Sequence, residues 1–235
     1  MLFCRVQIGS FEHLVPVICA LFFGYVLILK AKNTFSVKKK ERIFNGLGFF
    51  ISTVVVVFHL HKMATGNYNI SSDLPLYLCS LLALLIPVFT MYKKFWMYEI
   101  LFFWIIAGTT QGVITPDIAE GFPSFDYFRY WVVHLGLLVV IGYATFVLNY
   151  KPKLKSVFKS FLALQIYVLF VVIINAILNA NYFYLNEKPK SASLLDYFGD
   201  WPYYLITTQL LIIPLFLLIY LPFYMKEKII SQKAG

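Results

Sequence analysis

DLPLYLCSLLALLIPVF, residues 73–89, returns 127 residues later as DWPYYLITTQLLIIPLF, residues 200–216. Without gaps the two agree at Asp73/Asp200, Pro75/Pro202, Tyr77/Tyr204, Leu78/Leu205, Leu84/Leu211, Ile86/Ile213, Pro87/Pro214 and Phe89/Phe216. Leucine matches are cheap in an apolar chain. A shared aspartate, tyrosine and two prolines are not, and the pair reads as an internal repeat. The bland alternative is the same helix-start signal, Asp then Pro, used twice for capping. Only the first copy has a cysteine, Cys79; Ile206 takes its place in the second, and Thr207 stands where the first has Ser80.

Around these copies the chain is apolar throughout. Of 235 residues, 60% are hydrophobic, 19% aromatic and 13% charged, more apolar surface than a water-soluble globule of this size can bury. The expected fold is all-α, one transmembrane domain over 1–235. Its seven helices fall near 14–30, 43–60, 74–92, 95–114, 127–149, 157–178 and 202–225. Each is about 20 residues long, the length that crosses ~30 Å of hydrocarbon. Pro75, Pro116 and Pro202 are expected at helix ends, with Pro16, Pro87 and Pro214 further inside and kinking their helices. No small-residue cleavage site follows the first residues, so the first helix is expected to stay.

Charge sets the orientation. The loops after helices 1, 3 and 5 and the C-terminal tail hold 15 of the 20 basic residues, whereas 8 of the 11 acidic residues lie on the other side. The positive-inside rule then puts the N-terminus outside and the C-terminus in the cytoplasm. The formal charge of +9 is read as this topology signal and not as a footprint for nucleic acid. Under this topology helices 3 and 7 run the same way, giving a 3+1+3 plan with repeats 1–92 and 127–225 about a fourth, inverting helix. Loop 31–42 and the tail KEKIISQKAG read as solvated basic segments. Loop 179–200, long and aromatic, is expected to fold over the outer mouth.

Polar groups inside membrane helices are expensive, so their clustering is informative. Cys79, His134, Gln111, Thr207, Thr208 and Gln209 are all expected within roughly 5 to 12 Å of the outer boundary, at 1.5 Å per helical residue. Asp73, Thr115, Asp117, Asn181, Tyr182, Asp196, Asp200 and Trp201 lie on or near the same side. A cysteine and a histidine at one depth can act as nucleophile and base, because imidazole takes the thiol proton and thiolate is the reactive species. The alternative is that Cys79 is a small apolar filler and His134 a packing group. Cys19 lies in apolar surroundings and reads as filler, and Cys4 lies near the terminus. His59 and His61, two residues apart, point to different helix faces, so no metal is expected, and no cofactor. Tyrosines near the span ends read as interfacial belts.

The stretches LPLYLC (74–79), AGTTQGVITPD (107–117), GFPSFDYFRYWVVHLG (121–136) and NANYFYLNEKPKSASLLDYFGDWPYYL (179–205) carry a resemblance. They resemble the YwaF-type bacterial integral membrane proteins, related to eukaryotic transmembrane protein 164. The eukaryotic relative is similar to a phospholipid acyltransferase that uses a cysteine with a histidine, so the resemblance implies Cys79 as nucleophile and His134 as base. Family members often have His or Gln where this chain has Tyr77, so the resemblance carries no second base to that position. The first reading is therefore a lipid acyl-transfer enzyme, a phospholipid acyltransferase or a lipid ester hydrolase, with membrane lipids as substrate and Gln111, Thr207 or Asn181 as candidate donors to the oxyanion. Thr115, Asp117, Tyr182, Trp201 and Thr208 complete the candidate substrate-binding set. A carrier built on parallel repeats is the second reading, and a membrane scaffold the third. Nothing in the sequence sets the oligomeric state.

Overall fold

The computed structural model describes residues 5–234, so Cys4 lies outside the described residues. The described chain is all helical, with seven main elements: α1 (Phe11–Thr34), α2 (Val37–Ala64), α3 (Leu78–Tyr92), α4 (Phe95–Ile114), α5 (Phe125–Phe146), α6 (Leu154–Leu178) and α7 (Tyr203–Ala234). Six are long and apolar enough to cross a membrane; α3, at 15 residues, is the short one.

Two basic segments expected to be loops are helical. Only Phe35 and Ser36 separate α1 from α2, and the Ser36 hydroxyl accepts the Lys39 N–H at the start of α2. Likewise α7 continues through the basic tail to Ala234. Lysine, glutamate and glutamine are good helix formers, so charge leaves the bilayer here without ending the helix. Pro16, Pro87 and Pro214 lie inside helices as expected, and so does Pro222.

The α3 start, expected at 74, falls at Leu78, because Leu74–Tyr77 is not helical. Pro75 has no N–H to give a helix. Leu76 closes a tight turn onto the Leu74 carbonyl, and Tyr77 is extended. Fifteen residues rise only about 22 Å, short of the ~30 Å of a bilayer core, so α3 alone does not span it. Unwound backbone at such depth must be buried in protein with its polar groups satisfied. Here tyrosines supply the partners, as described below.

Helices α1, α3, α5 and α7 begin at one end of the bundle, which we term the mouth; the three connections 65–77, 115–124 and 179–202 meet there. The other end carries Lys93, Lys94, Lys151 and Lys153. At the centre is α5, 61% of whose span is buried, against 11% for α1 and 17% for α7. It packs on α1, α2 and α4, while α6 and α7 pack against α4 and each other. Close approach depends on small residues, as at membrane helix crossings generally. A Cβ at Gly48 of α2 would lie 2.5 Å from the Thr90 hydroxyl of α3. Phe44 stacks on Tyr143 and meets the edge of Phe89, joining α2, α5 and α3. Toward the basic end, the buried Glu99 of α4 accepts from Ser156 at 2.8 Å and pairs with Lys159, both on α6.

The two similar stretches, 73–89 and 200–216, differ locally. The first makes Tyr77 the residue before its helix; in the second the equivalent Tyr204 is already the second residue of α7. Asp73 is paired with Lys62 at 2.6 Å, whereas the Asp200 side chain is fully exposed, 3.6 Å from Lys188.

Candidate active site

Because α3 begins at Leu78, Cys79 is the second residue of a helix rather than one deep within it. Tyr77 offers no side-chain cap, and the first N–H of this turn to find an acceptor is that of Leu81, on the Tyr77 carbonyl at 3.0 Å. Among the described residues the N–H groups of Leu78, Cys79 and Ser80 have no acceptor. This is the usual deficit of a helix N-terminus, which carries partial positive charge and favours an anion. Cys79 is therefore set beside free donors.

The segment that leads to it is clamped by phenol hydroxyls. The Leu74 N–H donates to the Tyr182 hydroxyl at 2.9 Å, and that hydroxyl donates to the Ile70 carbonyl. Tyr167 of α6 donates to the Leu76 carbonyl, and Tyr68 to the Asp73 carbonyl at 3.2 Å. The Tyr77 ring lies 5.4 Å from those of both Tyr182 and Tyr184. Tyr182 is itself fixed to α6, its backbone exchanging two hydrogen bonds of 2.8 and 2.9 Å with the buried Asn175 amide. Tyr98, Tyr143 and Tyr204 are buried too, each with its hydroxyl on a distant carbonyl. These tyrosines are cross-links, a correction to their reading as interfacial belts. Replacing Tyr167 with phenylalanine strands the Leu76 carbonyl. It is expected to cost about 1–2 kcal/mol, lowering the melting temperature by roughly 2–4 °C per kcal/mol for a chain of this size. An unchanged melt would show that the clamp contributes nothing.

The Cys79 thiol meets the Thr109 hydroxyl at 3.6 Å. Thr109 ends a π turn, Ile105–Thr109, inserted in α4. Such one-turn bulges are rare and concentrate at functional sites. Three residues further on, Gly112 lies against His134: a Cβ there would sit 2.5 Å from His134 Cδ2 and 2.6 Å from Nε2. His134 is buried on α5, its Nδ1 on the Tyr130 carbonyl at 2.8 Å and its ring stacked on Tyr130 at 3.9 Å. The Tyr130 hydroxyl donates to the Gly112 carbonyl at 2.8 Å and accepts the Asp117 N–H at 3.3 Å. Positions 109 and 112 are neighbours on one helix face, about 4.5 Å apart along the axis. Cys79 and His134 thus address the same face of α4, one turn apart, while the hydrogen bonds they make go to Thr109 and Tyr130 rather than to each other.

The other candidates fall into four groups. Asp117 is the centre of a polar cluster: Oδ1 takes Arg5 and the Ser191 hydroxyl, the latter at 2.8 Å, and Oδ2 takes the Tyr184 hydroxyl at 3.1 Å. Burial and the Asp117 charge push the Tyr184 phenol up, so it stays protonated as the donor. Asn181 is a loop organiser, its amide holding Asn186 and Glu187. Thr115 turns its hydroxyl back to the Gln111 carbonyl, which ends α4, and the half-buried Gln111 lies one residue before Gly112. On the α7 side, Thr208 bonds to the Tyr204 carbonyl and Gln209 to Gln165 of α6. The exposed Trp201 donates to the Leu185 carbonyl, and Thr207 is half-buried. Thr109, Gly112 and Tyr130 are the residues the sequence reading missed; the signal was the AGTTQG run, whose small and hydroxyl residues break an aromatic helix.

Cys19, exposed to the bundle surface, lines an apolar cleft of about 330 Å³ with Pro16, Leu47, Ile51 and Trp131. His59 packs on Phe58 and Tyr68 while His61 meets Phe125, so the two rings face different neighbours. No curated protein and no solved structure matches the chain. The model of the TMEM164 family matches residues 8–220, nearly the whole bundle, and this multi-pass membrane protein belongs to that family.

Proposed function

We propose that the chain is a lipid acyl-transfer enzyme in which Cys79 is the nucleophile and His134 the base. The observation that carries this reading is the position of Cys79 at the second residue of α3, beside unbonded N–H groups and on the same face of α4 as His134. In the first half-reaction His134 takes the thiol proton, and the sulfur adds to the ester carbonyl carbon. The oxyanion forms beside the N–H groups of Cys79 and Ser80, and the Thr109 hydroxyl is the nearest side-chain donor. The C–O bond then breaks, the leaving alkoxide takes the proton from the imidazolium, and an acyl thioester remains. In the second, His134 deprotonates an acceptor hydroxyl, of a lysolipid or of water, which attacks the thioester and returns the proton and the thiol.

The experiment is intact-mass spectrometry of the purified protein after incubation with phospholipid. An acyl increment that hydroxylamine removes supports the reading, since thioesters are labile to it. Its absence across several lipid esters in folded protein counts against it.

The mouth is the outer face in this reading, with the basic end in the cytoplasm and lipid entering from the outer leaflet of a bacterial plasma membrane. Lys190→Cys is expected to react with a membrane-impermeant maleimide on intact cells; reaction only after permeabilisation would invert the orientation. The parallel repeat about α4 is supported by α3 and α7 starting at the same end, and the thiol is then a feature of one copy only.

A further inference from the structure

Two buried histidines flank the aromatic pair Tyr130 and Trp131, and their nitrogens are used in opposite ways. In His13 of α1 both are occupied: Nδ1 accepts from the Gly9 N–H at 2.9 Å, and Nε2 donates to the Val113 carbonyl at 2.8 Å. Such a ring has no nitrogen left for chemistry. His134 is the reverse. A carbonyl oxygen can only accept, so the 2.8 Å contact from Nδ1 to the Tyr130 carbonyl keeps the proton of the neutral ring on Nδ1 and leaves the lone pair on Nε2. Nε2 makes no hydrogen bond among the described residues. A Cβ at Gly112 would sit 2.6 Å from it, so it faces the side of α4 on which Thr109, one turn earlier, meets the Cys79 thiol.

Tyr130 supplies more than that carbonyl. Its ring lies 3.9 Å from the imidazole at an angle of 21°, closing one face. Its hydroxyl is spent on the end of α4. The Gly112 carbonyl would take the N–H of residue 116 in a continuing helix, but that residue is Pro116, which has none. The Tyr130 hydroxyl donates to this orphan at 2.8 Å while accepting the Asp117 N–H at 3.3 Å, so it has no proton left to give a substrate. One residue thus fixes the Nδ1 proton, one face of the ring and the distance to α4.

We infer that Tyr130 is a positioning residue for the reaction, filling for His134 the place a carboxylate fills in a Ser-His-Asp triad: its carbonyl selects Nε2 as the reacting nitrogen, and its ring steadies the imidazolium. When the thiol S–H breaks, the proton passes to Nε2. The charge then on the ring is met by the carbonyl at Nδ1 and by the π face of Tyr130. The same Nε2 proton later goes to the leaving alkoxide. The effect on rate rests on the acyl-transfer reading; the tautomer does not.

The tautomer is read by nitrogen NMR of the full-length, histidine-labelled protein in detergent at mildly alkaline pH, with His134 assigned by its absence from His134→Gln. A protonated Nδ1 with a bare Nε2 is expected, and His13 should show the opposite arrangement. A bare Nδ1 on His134, or both forms in equal amounts, overturns the assigned role. The rate of acyl-adduct formation tests the ring. Tyr130→Leu is expected to slow it about tenfold or more, the scale of a desolvated cation–π contact. Tyr130→Phe, which keeps the ring, should recover most of that loss. Added to His134→Gln, Tyr130→Leu should cost nothing further, because residues that act as a unit are not additive. Phenylalanine and leucine variants that are equally slow, or a leucine effect that is the same with and without His134, would make Tyr130 merely structural. The two readings fail separately: the expected tautomer without any adduct on the unmodified chain sinks acyl transfer alone, and an adduct on a protein with a bare His134 Nδ1 sinks the positioning role alone.

Discussion

Cys79→Ala is expected to abolish the hydroxylamine-labile acyl adduct completely while leaving the melting temperature within a few degrees. The thiol makes one long contact, 3.6 Å to the Thr109 hydroxyl, and its loss costs at most about 1 kcal/mol. Among the described residues the other cysteine is Cys19, which lies in an apolar cleft lined by Trp131 and Leu135 of α5. His134→Gln should retain a slow adduct, reduced by about a hundredfold or more, the range in which a general base contributes. It keeps a polar side chain against the Tyr130 carbonyl, so the loss can be read as chemistry rather than unfolding. An adduct that persists on Cys79→Ala would move the nucleophile elsewhere, and undiminished acylation in His134→Gln would remove the base.

Gly112→Ala is expected to cripple the site from a position that touches no substrate. Its methyl group would meet the imidazole at 2.5 and 2.6 Å. The ring cannot retreat easily, because it is stacked on Tyr130 and tied to the carbonyl of the same residue. Overpacking of this kind costs about 1–3 kcal/mol, and displacing a catalytic group by about 1 Å can cost a hundredfold in rate. Gly46 of α2 supplies the control. A Cβ there meets nothing within 4 Å, so Gly46→Ala should leave acylation unchanged and raise stability by up to about 1 kcal/mol through helix propensity alone. Normal acylation and an unshifted melt in Gly112→Ala would mean that the histidine has room the structure does not show.

Hydropathy located the helices because burial in lipid is a property of contiguous sequence. The same property hid their ends: lysines that leave the bilayer continue α1 and α7 as helix, and an apolar Leu74–Tyr77 reads as helix although Pro75 and the tight turn at Leu76 keep it from being one. That one misplacement moved Cys79 from the body of a helix to its N-terminus, where its setting is quite different. The clamps were illegible for another reason. Tyr182 meets Leu74 across 108 residues and Tyr167 meets Leu76 across 91, and no local pattern encodes such pairings. What the sequence did disclose was the chemistry set aside from the apolar background: Cys79, His134 and Asp117 were singled out as polar groups a membrane helix or mouth has reason to keep, and each has a definite neighbour.

The π turn in α4 changes the angular phase of that helix. Each residue of an α-helix advances about 100°, and a π turn fits one extra residue into a single loop, so everything after Thr109 is rotated relative to everything before Ile105. The first half packs chiefly on α6, through Trp104 on the Ser160 carbonyl, with Phe103 against Phe216 of α7 and the Tyr98 hydroxyl on Thr145 of α5. The second half turns Thr109 and Gly112 toward α3 and α5. One helix thus meets its neighbours in two angular phases. Deleting a single residue between 105 and 109 would leave the span as apolar as before and still swing Gly112 away from the imidazole, a frame error written in rotation and not in composition.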